Sequence, residues 1–291
     1  MMIYLERFCL PDEDQEYRFR LNLKQTSYTT IYPFYTLTDA ALANLEFEPI
    51  TILYGGNGSG KTTVLNVIAE ALQLKRTAPY NRSSFFEDFV AMCTSDIRQP
   101  VPDESKIVTS DDVFDYMLNV RSLNEGIDRR REVVFEDHVH ARYSNVRVNS
   151  LSDYEALKRQ NSARRLTQSA FVRSELMPNV RELSNGESAL YYFKQQIDQD
   201  ALYLLDEPEN SLSAQKQIEL AQFLEESARF MNCQLIISTH SPFLLAMKHV
   251  KIYDLDSKPA VPRRWTELGN VRAYHDFFEQ HRADFSRTDQ P

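Results

Sequence analysis

Nine consecutive residues, Gly55–Thr63 (GGNGSGKTT), have the types and spacing to hold a phosphate. They complete the pattern G-x-x-x-x-G-K-[ST] and stand between the β-forming run Ile50–Tyr54 and a segment with Val64, Ile68 and Leu72 at helical spacing. Strand, glycine turn and helix is the order a phosphate cradle needs. Backbone N–H groups of Gly55, Gly56, Asn57, Gly58, Ser59 and Gly60 can then face an anion without side chains in the way, and the helix beginning near Lys61 turns its positive end to the same point. In that arrangement Lys61 bridges the β- and γ-phosphates, the Thr62 hydroxyl binds Mg²⁺, and Thr63 counts with the nucleotide-binding residues. The alternative is a glycine turn that merely joins strand to helix. Only 7 glycines occur in the chain, and Gly55, Gly56, Gly58 and Gly60 all lie here, which argues for the cradle.

A second group lies downstream. The apolar run Ala201–Leu205 ends in Asp206 and Glu207, and the apolar run Gln234–Ser238 ends in Thr239 and His240. With a phosphate cradle in hand, Asp206 can hold Mg²⁺ and Glu207 can polarise an attacking water. His240 follows a buried strand and would reach the γ-phosphate from the same rim; a structural histidine is the bland alternative. Between the two groups, Ser184-Asn185-Gly186-Glu187 precede the helical pattern Ala189–Phe193.

These residues need a frame. Fully apolar strands alternating with helices predict a mainly parallel sheet covered on both faces, with polar residues at the carboxyl ends of its strands. Residues 1–54 are rich in β-formers, and Tyr17–Leu23 alternates, which predicts an antiparallel β-subdomain leading into the phosphate loop. Tyr28, Tyr32 or Phe34 could stack on adenine, although sheet packing explains any one of them. A proline-bearing loop with a short helix at Phe85–Met92 follows, then a strand at Lys106–Ser110. Residues 113–180 read as a compact, charged helical insertion without a sustained heptad, so no long coiled-coil arm is expected. Its Arg129–Arg131 and Arg164-Arg165 clusters read as a solvated face, or else as a patch for phosphate or partner, with Tyr143 and Phe171 interleaved. His138 and His140 would face one way on a strand, but a metal site lacks a third ligand nearby. Gln217–Phe230 reads as an amphipathic helix.

The totals set bounds. A hydrophobic content of 42% supports a packed core, and a formal charge of -9 speaks against a generally basic nucleic-acid coat. Cys9, Cys93 and Cys233 form no C-x-x-C pair, so neither zinc nor a disulfide framework is indicated. No apolar run approaches the ~20 residues of a membrane span, and Glu6 and Asp12 fall where a signal peptide would be apolar. A cytoplasmic protein with no membrane contact is expected.

GGNGSGKTT, LSNGES, LLDEPEN and STHSP, in this order, resemble the Walker A, signature, Walker B and switch-histidine motifs of the ABC-type ATPase superfamily. DEPENSLS with THSPFLL is more similar to soluble SMC-like, RecF-like and OLD-like ATPases, often labelled AAA-family, than to transporter subunits, which usually carry S-A-L-D after the Walker B glutamate and proline. Glu187, where transporters favour glutamine, leans the same way. Asn185 replaces the usual second glycine and tolerates φ > 0 better than other side chains. No glutamine stands at a Q-loop position; Asp111 or Asp112 is the candidate in its place.

The resemblance implies one α/β P-loop ATPase domain over 1–291: an N-terminal β and P-loop lobe (1–75), a loop and helical insertion (76–180), a signature, Walker B and switch lobe (181–258), and a C-terminal helix and tail (259–291). It also implies ATP and Mg²⁺ as ligands, and a head-to-tail homodimer in which Ser184, Asn185, Gly186 and Glu187 complete the nucleotide site of the opposite copy. The implied role is an ATP-gated clamp that acts on a partner or effector protein or on nucleic acid, in DNA maintenance or phage defence. A nuclease of its own is not expected, because Lys251–Pro291 is short for an appended catalytic domain. The alternative is the ATPase subunit of a membrane transporter. A P-loop kinase or GTPase leaves LSNGES and STHSP without work.

Overall fold

The computed structural model describes residues 2–23, 30–37, 42, 44–143, 153–176, 179 and 184–286. It divides into two compact units, residues 1–113 with 185–291, and residues 114–184.

The first unit contains the expected parallel sheet. Strands β3 (Ile50–Tyr54), β5 (Lys106–Thr109), β6 (Leu202–Asp206), β7 (Gln234–Thr239), β8 (Lys251–Asp254) and β9 (Val261–Pro262) are ordered β5-β6-β7-β3-β8-β9, and only β9 runs antiparallel. Every residue of β3, β6 and β7 is buried, which is why these strands read as unbroken apolar runs rather than alternating ones. Register is what builds the site. Asp206 pairs with Ser238 and Tyr54 with Thr239, so the ends of β6, β7 and β3 arrive at one edge.

The antiparallel subdomain exists, but from other residues. Its order is β2-β1-β4, with β1 at Leu5–Cys9, β2 at Asn44–Glu46 and β4 at Thr94–Ile97. The alternating Tyr17–Leu23 stretch is not a strand: α1 spans Glu13–Asn22. Asp12 and Gln15 form a capping box, each side chain bonded to the other's backbone N–H at 2.8 and 2.9 Å, and this local lock outweighs the alternation. Tyr17 and Leu21 are exposed while Phe19 stacks on Phe34 at 4.2 Å. All four residues of β4 are exposed, so it carries no hydrophobic pattern and exists through its pairing with β1.

Helices α2 (Lys61–Ala71) and α3 (Phe86–Met92) pack with both sheets around one core that includes Phe8, Leu45, Leu65, Ile68, Phe86, Phe89, Ile107, Leu204 and Ile236. Buried Gln234 ties the sheets together. Its Oε1 accepts from Tyr4 N and Leu5 N at 2.8 and 2.9 Å, and its Nε2 donates to Leu5 O at 2.7 Å. Helices α7 (Asn185–Gln196), α8 (Ala214–Phe230), α9 (Pro242–Leu245), α10 (Gly269–Gln280) and α11 (Arg282–Ser286) complete the unit.

The second unit holds most of α4 (Ser110–Tyr143), with α5 (Asp153–Arg165) and α6 (Gln168–Glu175). Val134, Ala163, Phe171 and Val172 form its small core. A 34-residue helix is longer than the expected compact insertion suggests, about 50 Å at 1.5 Å per residue. His138 and His140 are helical and do not share a face: His138 is buried 5.1 Å from the Phe171 ring, and His140 is exposed. No metal-binding group of three His, Cys, Asp or Glu occurs among the described residues. Arg129 pairs with Glu125 at 3.4 Å, and Arg131 pairs with Asp128 and with Asn179, on an exposed surface that fits the solvated-face reading.

Candidate nucleotide site

The cradle begins where β3 ends. Gly58 and Gly60 have φ of 81° and 93°, the left-handed region that favours glycine, and a Cβ on Gly60 would also have to displace Leu37 Cδ2, 2.5 Å away. The turn delivers Lys61 to the first position of α2, whose first N–H groups lack intrahelical acceptors. Lys61 is only 4% exposed. Its Nζ donates to Gly55 O at 2.8 Å and Gly56 O at 3.0 Å, and lies 3.8 Å from Glu207 Oε1. The Ser59 hydroxyl is buried without a hydrogen-bond partner. A buried ammonium held by carbonyls and an unpartnered hydroxyl in a loop of N–H groups fit a polyphosphate.

Two oxygen ligands stand together beside it. Thr62 Oγ1 donates to Asp206 Oδ1 at 3.1 Å, and Ser238 Oγ donates to the same oxygen. A hydroxyl beside a buried carboxylate is a donor set suited to Mg²⁺. Burial lifts the Asp206 carboxyl above its ordinary range, and the bonds from Ser238 and Thr62 pull it partly back. The folded state therefore holds this proton more tightly than the unfolded chain, and stability falls as pH rises from the ordinary value of 3.8 through the raised one. Asp206→Asn, which keeps the accepting oxygen, is expected to raise the melting temperature of the metal-free protein at neutral pH, with the gain shrinking toward pH 3.8. Thermal melts across that range read it out.

Glu207 follows in a left-handed conformation at φ 48°, its N–H donating to Ser238 O at 3.0 Å. That twist, uncommon for a side-chain-bearing residue, turns its carboxylate toward Lys61. Asn210 Nδ2 donates to Glu207 Oε2 at 3.2 Å, and His240 Nδ1 is 4.0 Å from Glu207 Oε1. Lys61, Thr62, Asp206, Glu207 and His240 thus converge from three strand ends. Tyr32, Thr62, Thr63, Asp111 and Asp206 line a cleft of about 390 Å³ beside them.

Other expectations resolve differently. Asp112 is structural, accepting from Ala78 N and from both N and Oγ1 of Thr109, whereas Asp111 faces the cleft. Tyr28 and Leu183 lie outside the described residues. Phe34 is core, and Tyr32 donates its hydroxyl to Thr63 Oγ1 at 3.1 Å, so neither is placed as a free stacking face. Asn185 begins α7 without a positive φ, and Gly186 and Glu187 occupy its first turn, so the tolerance for left-handed backbone is not used. A Cβ on Gly186 would lie 3.2 Å from Ser211 O, which seats the signature turn against the segment after Glu207. Ser184 immediately precedes α7. Two contributors escaped sequence reasoning: Asp256, whose carboxylate accepts from Gly56 N at 2.9 and 3.0 Å, and Glu209, bonded to Thr239 Oγ1 and His240 N. Neither carries a sequence signal, since their partners are 200 and about 30 residues away.

A phosphate-type cradle, a hydroxyl and carboxylate pair suited to Mg²⁺ and an acidic residue at the edge of a parallel sheet are the parts that a P-loop nucleotide hydrolase needs. Residues 129–246 match the family described as "AAA domain, putative AbiEii toxin, Type IV TA system". The lipoprotein-releasing system ATP-binding protein LolD of Ehrlichia ruminantium, in strains Gardel and Welgevonden, is 25% identical over 218 residues, 74% of this chain and 85% of that protein. Solved structures that align include a bacterial ABC transporter cassette determined as a dimer, at 15% identity over 73% of this chain and 84% of the other, TM-score 0.35. The Smc head domain of Pyrococcus furiosus, with an extended coiled coil and bound to the C-terminal domain of ScpA, aligns at 12% identity over 82% and 95%, TM-score 0.40. The chain has an α/β fold with a phosphate loop and is similar to ATPases. Among the described residues no helix is long and apolar enough to cross a membrane.

Proposed function

We propose that this ATPase works as an ATP-gated, head-to-tail homodimer in the cytoplasm that acts on a partner or effector protein, in DNA maintenance or phage defence. The observation that carries the reading is the convergence of Lys61 Nζ, Glu207 Oε1 and His240 Nδ1 within 4.0 Å steps, beside Thr62 and Asp206. Lys61 and the N–H groups of Gly58–Thr62 bind the β- and γ-phosphates. Thr62 and Asp206 would hold Mg²⁺, which would neutralise charge on the phosphate oxygens. Glu207, oriented by Asn210, orients and polarises water, and His240 contacts the γ-phosphate.

The dimer rests on the signature. Ser184, Asn185, Gly186 and Glu187 form a helix N-terminus, a natural anion-binding end, and in the ABC-type arrangement it serves the nucleotide of the second copy. Hydrolysis then removes the γ-phosphate contacts that hold the copies together. A protein partner is preferred to nucleic acid because the arginine cluster is engaged in local ion pairs and the chain carries a formal charge of -9. The LolD likeness favours a second reading, a transporter ATPase subunit; DEPENSLS in place of S-A-L-D weighs against it.

ATP turnover per chain, measured over a dilution series, is expected to rise with protein concentration and then level off. Turnover per chain that is independent of dilution would leave the ATPase and remove the gated dimer.

A further inference from the structure

Glu209 is a deeply buried carboxylate near the site, at 5% exposure, and nothing in the hydrolytic scheme above uses it. Its Oε1 accepts from Thr239 Oγ1 at 2.6 Å and from His240 N at 2.9 Å, and lies 3.5 Å from His240 Nδ1. Its Oε2 is buried with no hydrogen-bond partner. A carboxylate removed from water with an oxygen unsatisfied is costly unless a positive charge or a further donor stands within reach. The His240 ring stands beside it.

Two carboxylates face that ring from the Asp206–Asn210 segment. Glu209 Oε1 is at 3.5 Å and Glu207 Oε1 at 4.0 Å from the same Nδ1. Across the site Lys61 Nζ faces Glu207, and from α10 the Asn270 Nδ2 donates to His240 O at 3.1 Å. The two carboxylates differ in freedom. Glu209 is fixed by two short bonds from the β7 end, whereas Glu207 is held by one bond from Asn210. The nitrogen that carries the proton in an imidazole is set by the partner of the other nitrogen.

We propose that Glu209 is a positioning residue that keeps the proton on His240 Nδ1. The ring is thereby drawn to Glu209 rather than to Glu207, which stays available to water. Nε2 is then the nitrogen turned to the ligand. This rests on the assignment of His240 as the γ-phosphate contact, and it adds a residue that the motif reading did not assign.

The test uses protein labelled with ¹⁵N-histidine, with the His240 signals assigned by their loss in His240→Gln. Long-range ¹H–¹⁵N spectra tell the two neutral tautomers apart. In the wild type, neutral His240 is expected to carry its proton on Nδ1. In Glu209→Met, which removes the acceptor facing Nδ1, the population should move to Nε2–H, with kcat about tenfold lower and KM for ATP essentially unchanged, whereas Glu209→Gln, which keeps an oxygen at that place, should hold the wild-type tautomer. Neutral His240 protonated on Nε2 in the wild type would overturn the proposal without any variant, and so would an unchanged tautomer in Glu209→Met. A wild type that does not turn over ATP would defeat the hydrolytic reading, while the tautomer result would still decide the role of Glu209.

Discussion

Glu207→Gln is expected to slow ATP hydrolysis by about 10²–10⁴-fold, the range for loss of a general base, while leaving ATP affinity within a small factor of the wild type. The geometry motivates both halves. Glu207 Oε1 lies 3.8 Å from Lys61 Nζ, near where the γ-phosphate would lie, but the residue is not itself a ligand of the Thr62–Asp206 pair. Glutamine is nearly isosteric and can still accept from Asn210 Nδ2, so the left-handed backbone and the loop behind it have no reason to move. It removes a negative charge close to incoming phosphates, and binding should not suffer. With binding intact and turnover blocked, the ATP-bound dimer accumulates. The solution mass of the variant should double on adding Mg-ATP and stay unchanged with Mg-ADP. Repeating the measurement with double-stranded DNA asks whether nucleic acid joins the closed form. Wild-type turnover in Glu207→Gln would remove Glu207 from catalysis; blocked turnover without a mass change would keep the catalytic role and remove the dimer.

Lys61→Ala has the second large effect, on binding rather than on turnover. The ammonium is buried and its present partners are two loop carbonyls, Gly55 O and Gly56 O. A polyphosphate in the cradle would offer charged acceptors instead. Hydrogen bonds to charged groups are worth about 1.5–3 kcal/mol each, so losing contacts to two phosphates should weaken ATP binding by at least about a hundredfold. Titration calorimetry at fixed Mg²⁺ reads this directly. Because the variant also leaves two carbonyls without a donor, a melting curve must accompany it. A folded Lys61→Ala protein that binds ATP with wild-type affinity would place the nucleotide elsewhere.

Comparing the two variants separates the parts of the site. Lys61→Ala should abolish both dimer and turnover, whereas Glu207→Gln should abolish turnover alone. If both variants abolished the dimer, Glu207 would be needed for closure and not only for hydrolysis.

Much of this site was legible in sequence because its parts are local. Gly55–Thr63 carries its own instructions: glycines that permit φ of 81° and 93°, a lysine at the helix start, and an apolar strand before it. Asp206, Glu207 and His240 stand directly after apolar runs, and buried strands of a parallel sheet read as such. Where a local signal competed with another local signal, the alternation misled. Tyr17–Leu23 alternates, yet the Asp12–Gln15 capping box makes it helix.

Tertiary structure alone decided the rest. The strand order β6-β7-β3 and its register bring Asp206 beside Ser238 and Thr62, residues separated by 32 and 144 positions, and no short window of sequence contains that distance. Asp111 and Asp112 are equivalent as neighbours in sequence, but one faces the cleft and the other caps Thr109 and Ala78, because successive side chains on a helix diverge by about 100°. The exposed strand β4 has no apolar pattern and exists only through hydrogen bonds to β1. Glu209 and Asp256 are ordinary surface residues by type, and burial against His240 in one case and a bond to Gly56 in the other give them work. The sequence by itself determined the chemistry of the cradle, since binding a phosphate needs backbone freedom and a few residues in a row. Folding determined which carboxylates come to stand beside it, since those contacts are made between strands far apart in the chain.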